Sequence, residues 1–274
     1  MTVPMVKLNN DVMMPQLGLG VYKIHEGRQV HDVVNAAIQA GYRSIDTAAL
    51  YGNERGVGGA VRESGIARDD IFITTKVWNA DQGYGLTLKA FETSLRQLGM
   101  DYIDLYLVHW PVGRKFLQTW RACEYLYEQK LVRAIGVSNF QTHHLDQLLQ
   151  EANIVPVVNQ VELHPRLTQE RLREYCQAKG IAVEAWGPLM RGGEILRDEV
   201  VAKIAKRHNK TPAQVVLRWH IQRGIIVIPK SATKERIEEN INIFDFELSA
   251  HDMLAIDQLD AGQRVGPDPD NFHF

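Results

Sequence analysis

Four side chains with complementary acid–base chemistry follow one another in the first half of the chain. Asp46, Tyr51, Lys76 and His109 each lie at or just past the end of an apolar run that is predicted to be a β-strand. In a parallel β/α barrel the carboxyl ends of all strands open on one face, where active sites are built. The four residues therefore predict a proton-transfer site around a reacting carbonyl group.

The lysine is the hardest of the four to explain by structure alone. Lys76 closes the apolar run 71–76, where burial disfavours its charge unless a partner such as Asp46 restores it. A cationic Lys76 beside Tyr51 is expected to lower the phenol pKa from its reference of about 10, which improves a general acid. His109 can hydrogen-bond a carbonyl oxygen and fix its approach. This set suits protonation of an oxygen that becomes an alkoxide as its carbon accepts a hydride.

Each residue also has a plainer explanation when it is considered alone. A strand-end aspartate such as Asp46 often caps a turn, and Tyr51 precedes a Gly-Asn-Glu segment where a tyrosine often packs. A lone histidine such as His109 can be a satisfied core residue. Their joint placement on one barrel face favours the catalytic interpretation.

Short apolar runs alternate with amphipathic segments along the whole chain. A hairpin is predicted at residues 6–14, followed by strands at residues 17–20, 44–46, 71–76, 103–109, 132–138, 157–162, 181–186 and 225–228. Helices are predicted at residues 28–40, 54–63, 86–97, 116–128, 143–150, 169–178 and 212–221, with extra helices at 198–207, 234–240 and 249–259. The strand candidates are nearly continuous in apolar residues, which is typical of parallel strands covered on both faces.

About eight β/α units without a linker predict an α/β fold, a (β/α)8 TIM barrel that spans residues 1–274 as one domain. An N-terminal hairpin, extra helices and a C-terminal tail over the active-site face complete this prediction. The alternative is a doubly wound nucleotide-binding fold, which would place G-x-G-x-x-G after its first strand. Here Gly18-Leu19-Gly20 continues into residues 21–23 without the third glycine, so the barrel is favoured.

Composition excludes several classes of function. The 274 residues carry a net charge of -2, with 45% hydrophobic and 8% aromatic residues, and so predict neither a nucleic-acid nor an anionic-membrane surface. Two cysteines, Cys123 and Cys176, cannot form a thiolate-rich zinc site, and no metal is predicted. Without a signal peptide or a membrane-spanning run, we expect a cytoplasmic protein, by default a monomer, that acts on a small molecule.

Several motifs resemble those of the aldo-keto reductase family, in order and over essentially the whole chain. Residues 46–54 resemble the family signature around its catalytic aspartate and tyrosine, and residues 105–111 resemble its histidine strand. Residues 136–140 and 158–162 resemble its nicotinamide-side motifs. The segment 228–240 resembles its adenosine-phosphate motif.

This resemblance implies a barrel that binds NADPH in an extended form. It also implies that Tyr51 is the general acid, that Lys76 and Asp46 adjust the pKa of Tyr51, and that His109 orients the substrate carbonyl. Ser138, Asn139 and Gln160 would hold the nicotinamide carboxamide, and Trp186 would stack on the nicotinamide. Gly187 replaces a serine that is common in the family at this turn, which leaves its backbone to serve the pyrophosphate. The remaining residues predicted to bind the cofactor are Leu189, Lys230, Ser231, Thr233, Arg236, Glu239 and Asn240.

The phosphate end of the cofactor site can also be argued from chemistry alone. Lys230, Ser231, Thr233 and Arg236 follow the last predicted strand, and a helix begins among them at residues 234–240. Barrels often bind phosphate at this position, where helix amides, an arginine fork and hydroxyls suit a dianion. The pattern favours NADPH over NADH.

The substrate pocket is predicted to be walled by Tyr22, Trp78, His109 and Trp110, with contributions from Leu189 and the tail residues Phe272, His273 and Phe274. The short segment 112–115 suggests an open site suited to small or polar carbonyl compounds. Residues 81–84 and 264–272 resemble those of bacterial glyoxal/methylglyoxal reductases and trypanosomatid prostaglandin F synthases. We therefore expect reduction of small aldehydes and α-dicarbonyls, including methylglyoxal.

Three other functions stay open at this point. Bacterial diketogluconate reductases also have a tryptophan at the position of Trp186, so diketogluconate reduction is the nearest alternative. A Schiff-base lyase would explain Lys76 but not the phosphate motif at residues 230–240. A regulatory barrel that binds NADPH and turns over slowly would leave the complete tetrad unexplained.

Overall fold

A closed sheet of parallel strands is the main feature of the computed structural model, which describes residues 3–272. An antiparallel hairpin of β1 (Met5–Lys7) and β2 (Met13–Pro15) precedes it. The eight strands pair in chain order: β3 (Leu19–Gly20), β4 (Ser44–Asp46), β5 (Phe72–Val77), β6 (Ile103–Val108), β7 (Val132–Ser138), β8 (Val158–Glu162), β9 (Ala182–Trp186) and β10 (Ile226–Val227). The predicted (β/α)8 barrel with an N-terminal hairpin is confirmed.

Each of the eight barrel strands is followed by a helix on the outside of the barrel. The helices after β3 to β8 are α1 (Arg28–Ala40), α2 (Glu54–Glu63), α3 (Tyr84–Leu98), α4 (Lys115–Glu128), α5 (Thr142–Glu151) and α6 (Glu170–Ala178). After β9 and β10 come α7 (Glu199–His208), α8 (Pro212–Gln222), α9 (Lys234–Ile241) and α10 (Ala250–Asp257). The observed bounds lie within two residues of the predicted ones.

The barrel closes where β3 meets β10, and glycine makes this seam possible. The Gly18 N–H donates to the Val227 carbonyl at 2.8 Å, and the Gly20 N–H donates to the Pro229 carbonyl at 3.2 Å. A Cβ atom added at Gly20 would lie 2.9 Å from the carbonyl oxygen of Ile228, too close for any other residue. The Gly-Leu-Gly segment therefore closes a barrel.

The hairpin covers the amino-terminal end of the barrel interior. Leu8 and Met14 belong to one buried cluster with inward-facing strand residues such as Leu105 and Ile226. The side chain of Asn9 also donates to the carbonyl of Pro156 at 3.1 Å, which ties the hairpin turn to the approach to β8. The carboxyl ends of the strands are thus the face left for binding and chemistry. Across residues 3–272, the helices are too short or too polar to cross a membrane.

Helices α2 and α3 approach closely at one glycine, and a neighbouring glycine supplies a matched control. A Cβ atom at Gly58 would lie 1.9 Å from the carbonyl oxygen of Leu98, whereas the nearest atom to one at Gly59 is a ring carbon of His31 at 4.0 Å. We expect Gly58→Ala to lower the free energy of unfolding by about 1–3 kcal/mol because it overpacks this contact. Gly59→Ala is expected to raise it by up to ~1 kcal/mol, because alanine favours helix. Urea unfolding measures both, and equal stabilities would contradict the close approach.

Candidate active site

A buried ion pair between neighbouring strands lies at the centre of the site. Lys76 is fully buried on β5, and its Nζ donates to Asp46 Oδ1 at 2.6 Å and to the Thr47 carbonyl at 2.9 Å. The pairing of Asp46 with Thr74 places the two side chains at the same end of the barrel. Burial alone would lower the pKa of Lys76, but the carboxylate of Asp46 reverses this and holds it above its ordinary value. Lys76 is therefore a cation at neutral pH.

Tyr51 lies next to this cation and remains protonated. It ends the short 3₁₀ turn Ala49–Tyr51 after β4, and its Oη lies 3.5 Å from Lys76 Nζ. Burial raises the pKa of Tyr51 to about 12, while the charge of Lys76 acts in the opposite direction. The expectation of a pKa below the ordinary value was wrong, because burial outweighs the lysine. Tyr51 carries a proton that it can donate when negative charge develops on a nearby oxygen.

His109 is a neutral imidazole on the same face. It follows β6 directly and is buried, and both burial and the charge of Lys76 lower its pKa well below the ordinary 6.5. Its ring centroid lies 5.8 Å from that of Tyr51 and 5.2 Å from that of Trp78. Among residues 3–272, no hydrogen-bond partner is found for its Nδ1. A neutral ring held between aromatic side chains can orient a polar substrate group without adding charge.

The predicted nicotinamide-side residues form one hydrogen-bonded group on the neighbouring strands. Trp186 Nε1 donates to Asn139 Oδ1 at 2.8 Å, and Asn139 Nδ2 donates to the His109 carbonyl at 2.9 Å. Ser138 Oγ donates to the backbone carbonyl of Gln160 at 2.9 Å. Asn139 has a φ of 65°, a left-handed conformation that asparagine tolerates better than most residues. These hydrogen bonds thus connect Trp186 and Asn139 to the backbone of His109.

Glu184 is a buried acid that the sequence interpretation missed. It lies in the middle of β9, and Gln160 Nε2 donates both to its Oε2 and to Asp46 Oδ2, each at 2.8 Å. Burial, and then the charge of Asp46, raise the pKa of Glu184 to about 8. An acid within an otherwise apolar strand was the signal that could have revealed it.

The predicted phosphate residues lie on the same barrel face as the ion pair. Gly20 pairs with Asp46 on one side and bridges to Lys230 on the other, so one strand separates the two motifs. Thr233 precedes α9, and its N–H donates to Ser231 Oγ at 3.2 Å. Lys230, Thr233 and Arg236 are exposed there, while Ser231 and Asn240 are buried.

Three other predicted cofactor residues have mainly structural contacts. The Oε1 atom of Glu239 accepts a hydrogen bond from Thr211 Oγ1 at 2.7 Å, which joins α9 to the start of α8. Gly187 makes the turn after β9 with a φ of 62°, and Leu189 packs against the hydrophobic core. In the described structure Glu239 therefore joins two helices and Leu189 packs in the core next to the predicted cofactor site.

The predicted pocket walls gather around the mouth of the barrel. Tyr22 is exposed, and its ring centroid lies 5.0 Å from that of Tyr51. The ring of Trp110 stacks on that of Phe272 at a centroid distance of 3.9 Å and an interplanar angle of 11°. The tail therefore reaches the active-site face, while His273 and Phe274 lie outside the described residues.

Glu162 anchors this tail and was also missed as a functional residue. It ends β8 and accepts hydrogen bonds from the N–H groups of Val265 at 2.6 Å and Gly266 at 3.1 Å. Burial raises the pKa of Glu162, but hydrogen bonds from His164 and Val265 outweigh it and hold the pKa below its ordinary value. A Cβ atom at Gly266 would lie 2.3 Å from the indole of Trp186. The anchored backbone therefore packs directly against Trp186.

Three potential metal ligands meet where the tail passes α5. The ligand atoms of His143, His144 and Asp270 lie within 4.8 Å of one another. His144 Nδ1 accepts a hydrogen bond from the Gln141 N–H at 3.1 Å, so the neutral ring carries its proton on Nε2, towards Asp270. That proton blocks the nitrogen that a metal would need. The geometry fits a polar contact that fastens the tail to α5.

Comparison with known proteins gives a consistent result over the whole chain. Residues 16–261 match the family described as Aldo/keto reductase family. The chain is 58% identical over 269 residues to a glyoxal reductase of Bacillus subtilis (strain 168), covering 98% of this chain and 97% of the relative. It is 49% identical over 272 residues to methylglyoxal reductase DkgA of Yersinia pestis, covering 98% and 97%. The crystal structure of a Gox0644 mutant in complex with NADPH superposes with a TM-score of 0.95, at 44% identity and 100% coverage of both chains.

Glu162→Gln tests whether the tail depends on its carboxylate anchor. The amide can accept at only one atom, so one buried N–H donor loses its partner, which costs about 1–3 kcal/mol. We expect trypsin to cleave after Arg264 roughly 5- to 150-fold faster than in the parent protein. Mass spectrometry of the digest measures this rate. Glu170→Gln, the same charge change at an exposed position of α6, is the control, and equal cleavage in both variants would refute the anchor.

Proposed function

Because this chain belongs to the aldo/keto reductase family, we propose that it reduces small aldehydes and α-dicarbonyls such as methylglyoxal. As a member of that family it is an oxidoreductase that uses NADPH, so the predicted family, reaction class and cofactor are confirmed. The observation that carries the mechanism is the contact of a protonated Tyr51 with the buried cation Lys76, beside a neutral His109. A cytoplasmic location and a monomeric state stay predictions.

The chemistry of the described side chains fits NADPH. Trp186 presents a partly exposed indole beside the amide of Asn139, which suits a flat carboxamide-bearing ring. On the same face, Lys230 and Arg236 flank the start of α9, where cations and free backbone amides suit a dianionic phosphate. When bound, NADPH supplies the hydride.

The four catalytic residues that we propose divide the remaining work. His109 hydrogen-bonds the substrate carbonyl and holds it towards Tyr51, because a neutral imidazole can donate without carrying charge. Tyr51 gives its proton to the oxygen as negative charge develops there. Lys76 stabilises the phenolate left behind, and Asp46 keeps Lys76 charged and fixed in place.

The aromatic mouth supports a small carbonyl substrate. Tyr22, Trp78 and Trp110 surround the approach to His109, and the stack of Phe272 on Trp110 narrows it. The relatives named above as glyoxal and methylglyoxal reductases support the same substrate class.

A diketogluconate substrate is a second candidate on one specific observation. Lys23 Nζ lies 5.5 Å from the ring centroid of Tyr22 and offers a cation at the rim for a sugar-acid carboxylate. A Schiff-base lyase is disfavoured, because Lys76 is held as a cation by Asp46 and the Thr47 carbonyl and has no free lone pair.

Tyr51→Phe removes the proposed proton donor and keeps the ring. We expect kcat for NADPH-dependent reduction of methylglyoxal to fall by about 10²–10⁴-fold, the usual contribution of a positioned acid. Stopped-flow absorbance of NADPH measures the rate. Tyr102→Phe is the control, since its hydroxyl donates to Asp69 just before the start of β6, at the end of the barrel opposite the site. Full activity of the Tyr51 variant would exclude this mechanism.

Arg236→Ala tests the phosphate site. Losing charge-assisted hydrogen bonds worth about 1.5–3 kcal/mol should raise the Kd for NADPH by roughly 10–150-fold, with little effect on NADH. Tryptophan fluorescence titration with each nucleotide measures the constants. Arg121→Ala removes an arginine that pairs with Glu151 at 3.3 Å and serves as the matched control. An unchanged Kd for NADPH would remove Arg236 from the site.

A further inference from the structure

We propose that Glu184 is a positioning residue that acts on the catalytic ion pair through Gln160, and that loss of its proton slows carbonyl reduction at alkaline pH. The kinetic part of this inference rests on the proposed role of Tyr51 as proton donor. The protonation of Glu184 does not rest on it. An unbroken chain of hydrogen bonds inside the barrel connects Glu184 to this ion pair.

This chain crosses the barrel from β5 to β9. Lys76 bonds one oxygen of Asp46, and Gln160 Nε2 bonds the other at 2.8 Å. The second hydrogen of the same amide goes to Glu184 Oε2, also at 2.8 Å. The β8–β9 pairing of Gln160 with Glu184 fixes this geometry. Each of the four side chains is thereby held by its neighbour.

Only one orientation of the Gln160 amide satisfies these contacts. The carboxylate of Asp46 can accept hydrogen bonds but cannot donate one, so the NH₂ group of Gln160 must face it. The same nitrogen then faces Glu184 Oε2, which must accept. Glu184 Oε1 is buried, and no partner for it is found within residues 3–272. It is therefore the oxygen that can carry a proton.

The balance of charge gives the same result. From β4, β5 and β8, the charged or polar groups that face Glu184 are Asp46, Lys76 and Gln160. Lys76 is already balanced by Asp46, so a second buried carboxylate would be an unpaired charge. Burial and the charge of Asp46 raise the pKa of Glu184 to about 8, while the Gln160 hydrogen bond and Lys76 oppose the shift. The acid is neutral at neutral pH and loses its proton just above it.

Ionisation of Glu184 would act on the reaction through Lys76. The new negative charge attracts the lysine and raises its pKa further. It also opposes the negative charge that Tyr51 acquires when it gives up its proton. A change of only half a pKa unit at Tyr51 corresponds to about threefold in proton-transfer equilibrium. When Glu184 is protonated, the charge of Lys76 thus acts more fully on Tyr51 and stabilises the phenolate that forms there.

Single-turnover reduction of methylglyoxal with bound NADPH tests the kinetic part. We expect the hydride-transfer rate constant of the parent protein to fall by up to about threefold through a step near pH 8. Glu184→Gln keeps the shape of the protonated acid but cannot ionise, so this step should disappear from its pH profile. The same step in both proteins would overturn the proposal. The Kd for NADPH of each protein at both ends of the profile separates binding from chemistry.

Infrared spectroscopy tests the proton itself without turnover. In protein labelled with carbon-13 glutamate, we expect a protonated-carboxyl band that vanishes near pH 8 and is missing from Glu184→Gln. Subtraction of the variant is needed because burial also raises the pKa of Glu54. If the variant fails to fold, the parent titration decides alone, and the absence of a band lost near pH 8 overturns the proposal. If methylglyoxal is not reduced, the substrate proposal fails, while the band still decides whether Glu184 holds a proton.

Discussion

The ion pair of Lys76 and Asp46 is the interaction on which the rest of the site depends. Removing two charges from water costs several kcal/mol per ion, and their attraction offsets this only when geometry and further hydrogen bonds are good. Here Lys76 has Asp46 and the Thr47 carbonyl as acceptors, and Asp46 has Gln160 as a second donor. Because the pair is neutral overall, a further carboxylate beside it that has no cation of its own, as at Glu184, is favoured in its protonated form. The pair also keeps a positive charge beside Tyr51 at neutral pH, because Asp46 holds the pKa of Lys76 above its ordinary value.

The barrel makes this pair possible by its geometry. Neighbouring parallel strands place Asp46 and Lys76 at the same end of the barrel, and the pairing at the glycine seam places Lys230 at that end as well. A cation near the centre and further cations at the rim then lie within one opening. The fold therefore places the proposed proton donor, Tyr51, and the proposed phosphate-binding helix, α9, on one surface, although they are far apart in sequence.

Much of this arrangement could be predicted from sequence, because apolar runs that end in polar residues mark both the strands and the catalytic face. The pKa of Tyr51 could not, since the extent of burial depends on residues that only the folded chain brings together. Glu162 and Glu184 were missed for a related reason. Each lies within or at the end of a buried strand, and its contacts involve a partner distant in sequence, Gly266 for the first and Asp46 for the second. The apolar neighbours of Glu184 mark it as unusual, but no local pattern identifies the distant partner of either acid.

The hairpin of β1 and β2 has a consequence for hydrogen exchange between the barrel interior and solvent. With Leu8 and Met14 buried in the lower end of the barrel, the interior opens to solvent at the strand ends around Tyr22 and Trp110. Labile hydrogens on Lys76 and inside the barrel must then exchange with water through the same opening that admits substrate. Hydrogen exchange in the barrel interior and entry of substrate thus depend on the same opening. A ligand that fills this opening would therefore also slow hydrogen exchange inside the barrel.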